Sequence, residues 1–175
     1  MDRVRISTGK APPGDINVVI EIAQGSSVKY EVDEKNGALM VDRFLFAPMI
    51  YPAAYGFIPN TLSGDGEPAD ALVLLPAQVV PGAVLRARPI GVLFMEDESG
   101  KDEKIICLPH DEVYPQFKGN TELSSLPKIT IKVIEHFFTH YKDLEPGKWV
   151  KIVGWGGRLA AEAAIEAGMK AFAAN

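Results

Sequence analysis

With 47% hydrophobic and 23% charged residues among 175, the chain has the length and composition of one globular domain, residues 1–175, and neither disorder nor a low-complexity class fits. Its 18 basic and 23 acidic side chains leave a formal net charge of −5, which argues against nucleic acid or an anionic membrane as partner. Cys107 is the only cysteine, so an intrachain disulfide is impossible, a cysteine-based zinc site lacks ligands, and a reducing cytoplasm is the expected location.

The first 17 residues carry charges and the Pro12-Pro13-Gly14 break where a secretory signal needs a continuous apolar run. Strand-type runs follow over 16–23, 28–32 and 38–44. Within the first, Glu21 interrupts an otherwise apolar strand, and a carboxylate placed there needs a partner. The uncharged stretch 44–64 has 21 residues, enough in length to cross a bilayer, but Pro48, Pro52, Pro59 and Gly56 would break such a helix. It reads as folded loop and strand. Further strand runs lie over 71–75, 84–95, 104–108 and 148–154. No βαβ alternation suggests a parallel sheet, so a closed or nearly closed antiparallel barrel fits best.

Helical periodicity comes late. Ile129, Val133, Phe137 and Tyr141 recur every four residues, with Ser124 or Ser125 as the expected N-cap and the Tyr141 phenol expected beyond the core. An alanine-rich second helix is expected over 159–173. Strands first and helices last make an α+β fold, the helices covering one side of the barrel.

The chemistry is concentrated between residues 65 and 104, where eight carboxylates fall in two clumps separated by an apolar stretch. Asp65-Gly66-Glu67-Pro68-Ala69-Asp70 is a loop by its Gly and Pro; the second clump, 96–104, is a Gly-containing turn between strands. Either turn alone reads as solvated. If the two face each other, their repulsion calls for hard divalent cations with oxygen ligands, such as magnesium or manganese. An EF-hand is excluded, because counting from Asp65 its Gly and Glu positions hold Asp70 and Pro76. Neither a Walker phosphate loop nor a dinucleotide fingerprint is present, since Gly154-Trp155-Gly156 runs on to Leu159 where glycine is required. His136 and His140 have a zinc-compatible spacing, but Phe137 stands where a zinc protease needs Glu; if their helix packs on a second copy of the chain, an interface role is the stronger reading. Lys29, Arg43, Lys104, Arg86 and Arg88 are the basic candidates near the strands, each on its own a solvated side chain.

Taken in order, Val19-Ile20-Glu21-Ile22, Val28-Lys29-Tyr30-Glu31, Val41-Asp42-Arg43, Tyr51-Pro52-x-x-Tyr55-Gly56, the Asp65 loop, 95–104 and His140-Tyr141-Lys142-Asp143-Leu144-Glu145 resemble the family I soluble inorganic pyrophosphatases of the bacterial type. The resemblance spans nearly the whole chain. It implies a small barrel of the oligonucleotide-binding (OB) type, with about five core strands, extra strands and two flanking C-terminal helices. It further implies a cytoplasmic homohexamer and hydrolysis of pyrophosphate to two phosphates with several Mg2+ ions, Mn2+ being a possible substitute. By similarity, Asp65, Asp70, Asp97 and Asp102 are metal ligands, supported by Glu21, Glu31 and Glu98. Lys29, Arg43, Tyr55, Lys104, Tyr141 and Lys142 match groups that hold phosphate.

One residue departs from the pattern. The family loop reads D-x-D-P-x-D, with the middle Asp as base toward the attacking water, and this chain has Glu67 there. Ala69 also replaces a usually larger apolar residue. Glutamate keeps the carboxylate but lengthens the side chain by one carbon–carbon bond, and a misplacement of roughly 1 Å can cost about 100-fold in rate. A natural variant with compensating backbone shifts, a mutated chain, and a base role passed to another group or to a metal all fit. The alternatives to an active enzyme are an impaired pyrophosphatase variant and an OB-type binding module without catalysis, which the acidic charge of the turns disfavours.

Overall fold

A computed structural model of the chain describes residues 6–33 and 35–175. The apolar runs form strands β1 (Ile16–Ile22), β2 (Val28–Val32), β3 (Leu39–Phe44), β4 (Ala54–Phe57), β5 (Asp70–Val73), β6 (Val84–Asp97), β7 (Gly100–Pro109) and β8 (Val150–Gly157). Five close a ring in the order β1-β4-β5-β7-β6, completed by pairing of β6 with β1. β8 lies outside the ring against the second half of β6, and β2 and β3 pair with each other as a separate two-stranded sheet. The α+β class and the closed OB-like barrel expected from the sequence are both present.

Four of the five junctions of the ring are antiparallel, but β5 and β7 run parallel. Sequence patterning points to an all-antiparallel ring because parallel neighbours need a crossover, normally a helix. Here the crossover is β6 itself, a 14-residue strand that spans the barrel before the turn into β7. β6 serves three neighbours, β1 over its first residues, β8 over its last and β7 along most of its length, and it bends at Pro89, which has no N–H for the ladder and sits at the register shift between Pro89 and Gly91. Strand β4 has only four residues, too few for a pattern of alternation.

Helices α1 (Lys128–His140) and α2 (Arg158–Ala173) follow the predicted periodicity. They do not share one side of the barrel. Alternate residues of the central strands face two apolar clusters: Ala71, Val73, Ile105 and Cys107 join Ala161 and Ile165 of α2, whereas Leu72, Ile106 and Leu108 join Ile134, Phe137 and Phe138 of α1. Ser124 and Ser125, the alternative expected caps of α1, both lie instead within a short 3-10 turn (Leu123–Ser125), and Pro127 precedes the helix without a side-chain cap. Among the described residues, no helix is long and apolar enough to cross a membrane.

Gly56 marks the tightest approach in the ring. A Cβ on Gly56 would stand 1.9 Å from the Val19 carbonyl oxygen, where β4 crosses β1 beside the irregularity between Ile20 and Ile22. Gly56→Ala is therefore expected to lower unfolding stability by about 1–3 kcal/mol, the usual magnitude for an overpacked site. Gly119→Ala, whose Cβ meets nothing within 4 Å, should leave it nearly unchanged. Urea unfolding of both variants checks the contrast.

Candidate active site

The acidic turns, the β2–β3 hairpin and the segment after α1 surround one cavity of about 740 Å³. All fourteen residues selected from the sequence line it: Glu21, Lys29, Glu31, Arg43, Tyr55, Asp65, Glu67, Asp70, Asp97, Glu98, Asp102, Lys104, Tyr141 and Lys142.

Strand register builds the floor. Asp70 opens β5 and is the cross-strand partner of Lys104 on β7, while Asp102 stands two residues earlier on the same face of β7. The Lys104 ammonium is buried between them, its Nζ 2.5 Å from Asp70 Oδ2 and 2.7 Å from Asp102 Oδ1, and it donates to the Tyr55 hydroxyl at 3.2 Å. The wall opposite comes from the end of α1 and the end of β6. Lys142 donates to Asp97 Oδ2 at 2.7 Å, and Glu98 lies 3.4 Å from Lys142 and 2.7 Å from Lys148. Asp97 also accepts the Ser99 N–H at 2.8 Å, which closes the turn into β7.

The hairpin supplies the other cations. Lys29 and Arg43 are cross-strand partners, and Asp42 lies 3.4 Å from Lys29 and 2.6 Å from Arg43; Lys29 also meets Glu31. Arg43 Nε lies 2.8 Å from Glu145 Oε1. At the exposed rim, Asp65 accepts the Glu67 N–H at 3.0 Å, an Asx-type turn that holds the loop shape. Glu21, the carboxylate that interrupts β1, finds its partner in the Val32 N–H at 2.8 Å.

Burial and charge pull against each other here. Burial pushes the Glu21 carboxyl up to about 7, outweighing its bond from Val32. Burial also raises Asp102, with Asp70 and Asp97 adding like-charge repulsion that Lys104 only partly offsets. Burial opposes the charge of Lys104, but Asp70 and Asp102 overcome it and hold the ammonium protonated above its ordinary range. The same contest at Glu98 goes the other way: burial would raise it, yet Lys148 and Lys142 bring it down to about 2. The Tyr55 and Tyr141 phenols are raised by burial and stay neutral donors at physiological pH.

Each of Asp70, Asp97 and Asp102 thus faces a lysine, and among the described residues no three His, Cys, Asp or Glu side chains form a ready-made metal cage. The donor set is nonetheless all oxygen and anionic, lies in an open cavity, and contains neither His nor Cys, which fits a hard divalent cation that keeps waters and shares phosphate ligands. His136 and His140 lie away from this cavity with ring centroids 4.6 Å apart, and His140 bonds Asp143 at 2.7 Å. Tyr141 does not project beyond the core; it is buried, stacked on Phe137 with centroids 5.1 Å apart, and only its cavity side is open. Arg86 and Arg88 are structural: Arg86 holds Asp15 at 2.8 and 2.7 Å, and Arg88 holds Asp111 at 3.0 Å and the carbonyls of Phe117 and Asn120.

Three charged side chains at the site have no role assigned from the sequence. Lys148 lines the cavity, and Asp42 and Glu145 brace Arg43. Asp42 and Glu145 both stand in family-like fragments, 41–43 and 140–145, but nothing local pairs Glu145 with Arg43, 102 positions away.

Comparison with known proteins gives a consistent picture. The family model described as "Inorganic pyrophosphatase" matches residues 18–173. The chain is 66% identical over 174 residues to the inorganic pyrophosphatase of Gluconobacter oxydans, covering 99% of each chain. It is 52% identical to that of Rhodospirillum rubrum, covering 100% of this chain and 98% of the relative. Among solved structures, the inorganic phosphatase from Anaplasma phagocytophilum superposes with a TM-score of 0.95 at 47% identity, covering 96% of this chain and 99% of that one. The Helicobacter pylori inorganic pyrophosphatase gives 0.93 at 46% identity, over 98% and 99% of the two chains.

The Glu21 carboxyl supplies a pH test of the site. Native Glu21 holds its proton up to about 7, whereas its ordinary value is 4.5, so between these limits the folded state binds more protons than the unfolded one. The group's contribution to stability therefore falls as pH rises through that window. Glu21→Gln keeps an oxygen for the Val32 N–H and removes the titration. Without divalent metal, the variant is expected to gain stability relative to the parent from pH 5 to 7.5, read as urea midpoints at matched pH; a constant difference would contradict the assignment.

Proposed function

Because the chain belongs to the inorganic pyrophosphatase family, we propose that this cavity is where it hydrolyses inorganic pyrophosphate to two phosphates. The observation that carries the assignment is the interleaving of Asp70, Asp97 and Asp102 with Lys104 and Lys142 around one cavity. Cations for phosphate and carboxylates for metal stand side by side. The enzyme acts on a phosphoanhydride bond and depends on divalent metal, for which we propose Mg2+, with Mn2+ as a substitute. A binding module without catalysis gains no support from a cavity this acidic.

Asp65, Asp70, Asp97 and Asp102 would hold the metal, with Glu21, Glu31 and Glu98 in support. The metal, when bound, supplies charge neutralisation and a water acidic enough to ionise near neutral pH. The protein does the rest by positioning. Lys29, Arg43, Lys104 and Lys142 bind phosphate oxygens and, being held by carboxylates already, need little reorganisation as charge moves onto the leaving phosphate. Tyr55 and Tyr141, kept neutral by burial, donate through their hydroxyls. Glu67 takes the proton from the attacking water, so no covalent intermediate forms.

Residues 1–175 read as one domain of this kind, and a homohexamer gives the exposed Ile129, Val133 and Leu159 side chains an apolar partner. A reducing cytoplasm suits a chain whose lone Cys107 is buried.

Purified protein is expected to release phosphate from pyrophosphate only with added magnesium, and chelation should abolish the release. Phosphate formation no faster than in buffer would defeat the enzymatic reading. At saturating magnesium, Glu67→Asp should raise kcat by restoring the shorter reach, while Glu67→Gln should lower it about 100-fold by removing the proton acceptor. Should Glu67→Asp instead be slower, the local backbone has made glutamate the better base.

A further inference from the structure

The hairpin that carries Lys29 and Arg43 forms its own two-stranded sheet, with no ladder pairing to the barrel among the described residues. Most of the ion pairs around its cations cannot place it, because Asp42, Glu31 and Lys29 all ride on the hairpin itself. Among the described residues, two carboxylates from outside reach it. Glu21 of β1 accepts the Val32 N–H, and Glu145 meets the Arg43 guanidinium, with Oε1 2.8 Å from Nε and Oε2 accepting from Nη2 at 3.4 Å.

Glu145 is itself firmly placed. It is buried, its N–H donates to the Lys142 carbonyl at 2.9 Å, and its carbonyl accepts the Lys148 N–H at 3.2 Å. One short turn thus ties Arg43, on the hairpin, to the backbone of Lys142, on the opposite wall of the cavity. A buried carboxylate without its cation is strongly unfavourable, so the pair resists separation. Asp42 accepts from Nη1, and Glu145 accepts from Nη2 and sets its second oxygen 2.8 Å from Nε as a charge contact without hydrogen-bond geometry; held from two sides, the guanidinium is restricted in the orientation it offers to phosphate.

We propose that Glu145 is a positioning residue for pyrophosphate, acting through Arg43: it locks the hairpin's guanidinium at a set distance and orientation across the cavity from Lys142. The inference rests on the assignment of Arg43 to phosphate binding. Glu145 touches no substrate in this role. It acts on binding in ground and transition states alike, so its loss is felt in KM more than in kcat.

The test is a double-mutant cycle on the full chain with Arg43→Ala, Glu145→Gln and the combination, each measured for KM and kcat with pyrophosphate at saturating magnesium, and for binding of inorganic phosphate by calorimetry. Glu145→Gln is expected to raise KM and the phosphate Kd roughly 10-fold while kcat changes less than about threefold, and to have no further effect once Arg43 is alanine. Glu145→Asp, which keeps the charge and shortens the reach, should give a smaller rise and carries the same cycle if Glu145→Gln does not fold. If Arg43→Ala weakens phosphate binding but Glu145→Gln does not, or if Glu145→Gln raises KM equally in both backgrounds, the positioning role is overturned and the phosphate assignment of Arg43 stands. If Arg43→Ala alone leaves KM and phosphate binding unchanged, both fall together.

Discussion

The site depends on one buried cation. Lys104 is almost wholly enclosed, and an ammonium out of water is tolerable only if carboxylates close around it. The parallel junction of β5 and β7 provides them, because its register sets Asp70 opposite Lys104 while the pleat returns Asp102 to the same face two residues away. That junction needs β6 to cross the barrel and bend at Pro89, and the same crossing carries Asp97 to the cavity rim. Moving the β5–β7 register by one residue would turn Asp70 away and strand the ammonium.

Charge balance extends outward from this pair. Lys142 lies on Asp97, Lys148 on Glu98, and Arg43 between Asp42 and Glu145, so the cavity is a lattice of alternating signs rather than an acidic pool beside a basic one. On the proposed assignment, phosphate oxygens offer the cations new partners, and the carboxylates they leave turn to divalent metal. Each charge would keep a counter-charge throughout, which limits the desolvation penalty of filling the site. The arrangement also accounts for the absence of a ready-made metal cage among the described residues, since the magnesium proposed for the site uses few protein ligands and shares phosphate oxygens.

Much of the site was legible residue by residue. Two Gly-bearing acidic turns flanking an apolar stretch imply repelling carboxylates that need cations, and the fourteen residues that the family resemblance singled out do line one cavity. The fold was legible in class and closure, because period-two alternation and late helical periodicity are local properties. The parallel β5–β7 junction was not, since its crossover is a strand, and the two helices were placed together although they pack on separate clusters.

By itself the amino-acid sequence determined which chemistries were available: a dense supply of carboxylates, lysines and arginines enough to pair with them, one cysteine, and no nucleotide loop. Only the tertiary structure decided which charge meets which. Lys104 and Asp70 are 34 positions apart, Lys142 and Asp97 are 45, and Arg43 and Glu145 are 102. Coulomb attraction falls with distance in space and takes no account of distance along the chain, so strand register and the packing of α1, not local spacing, turned Tyr141 inward and brought Glu145 to Arg43.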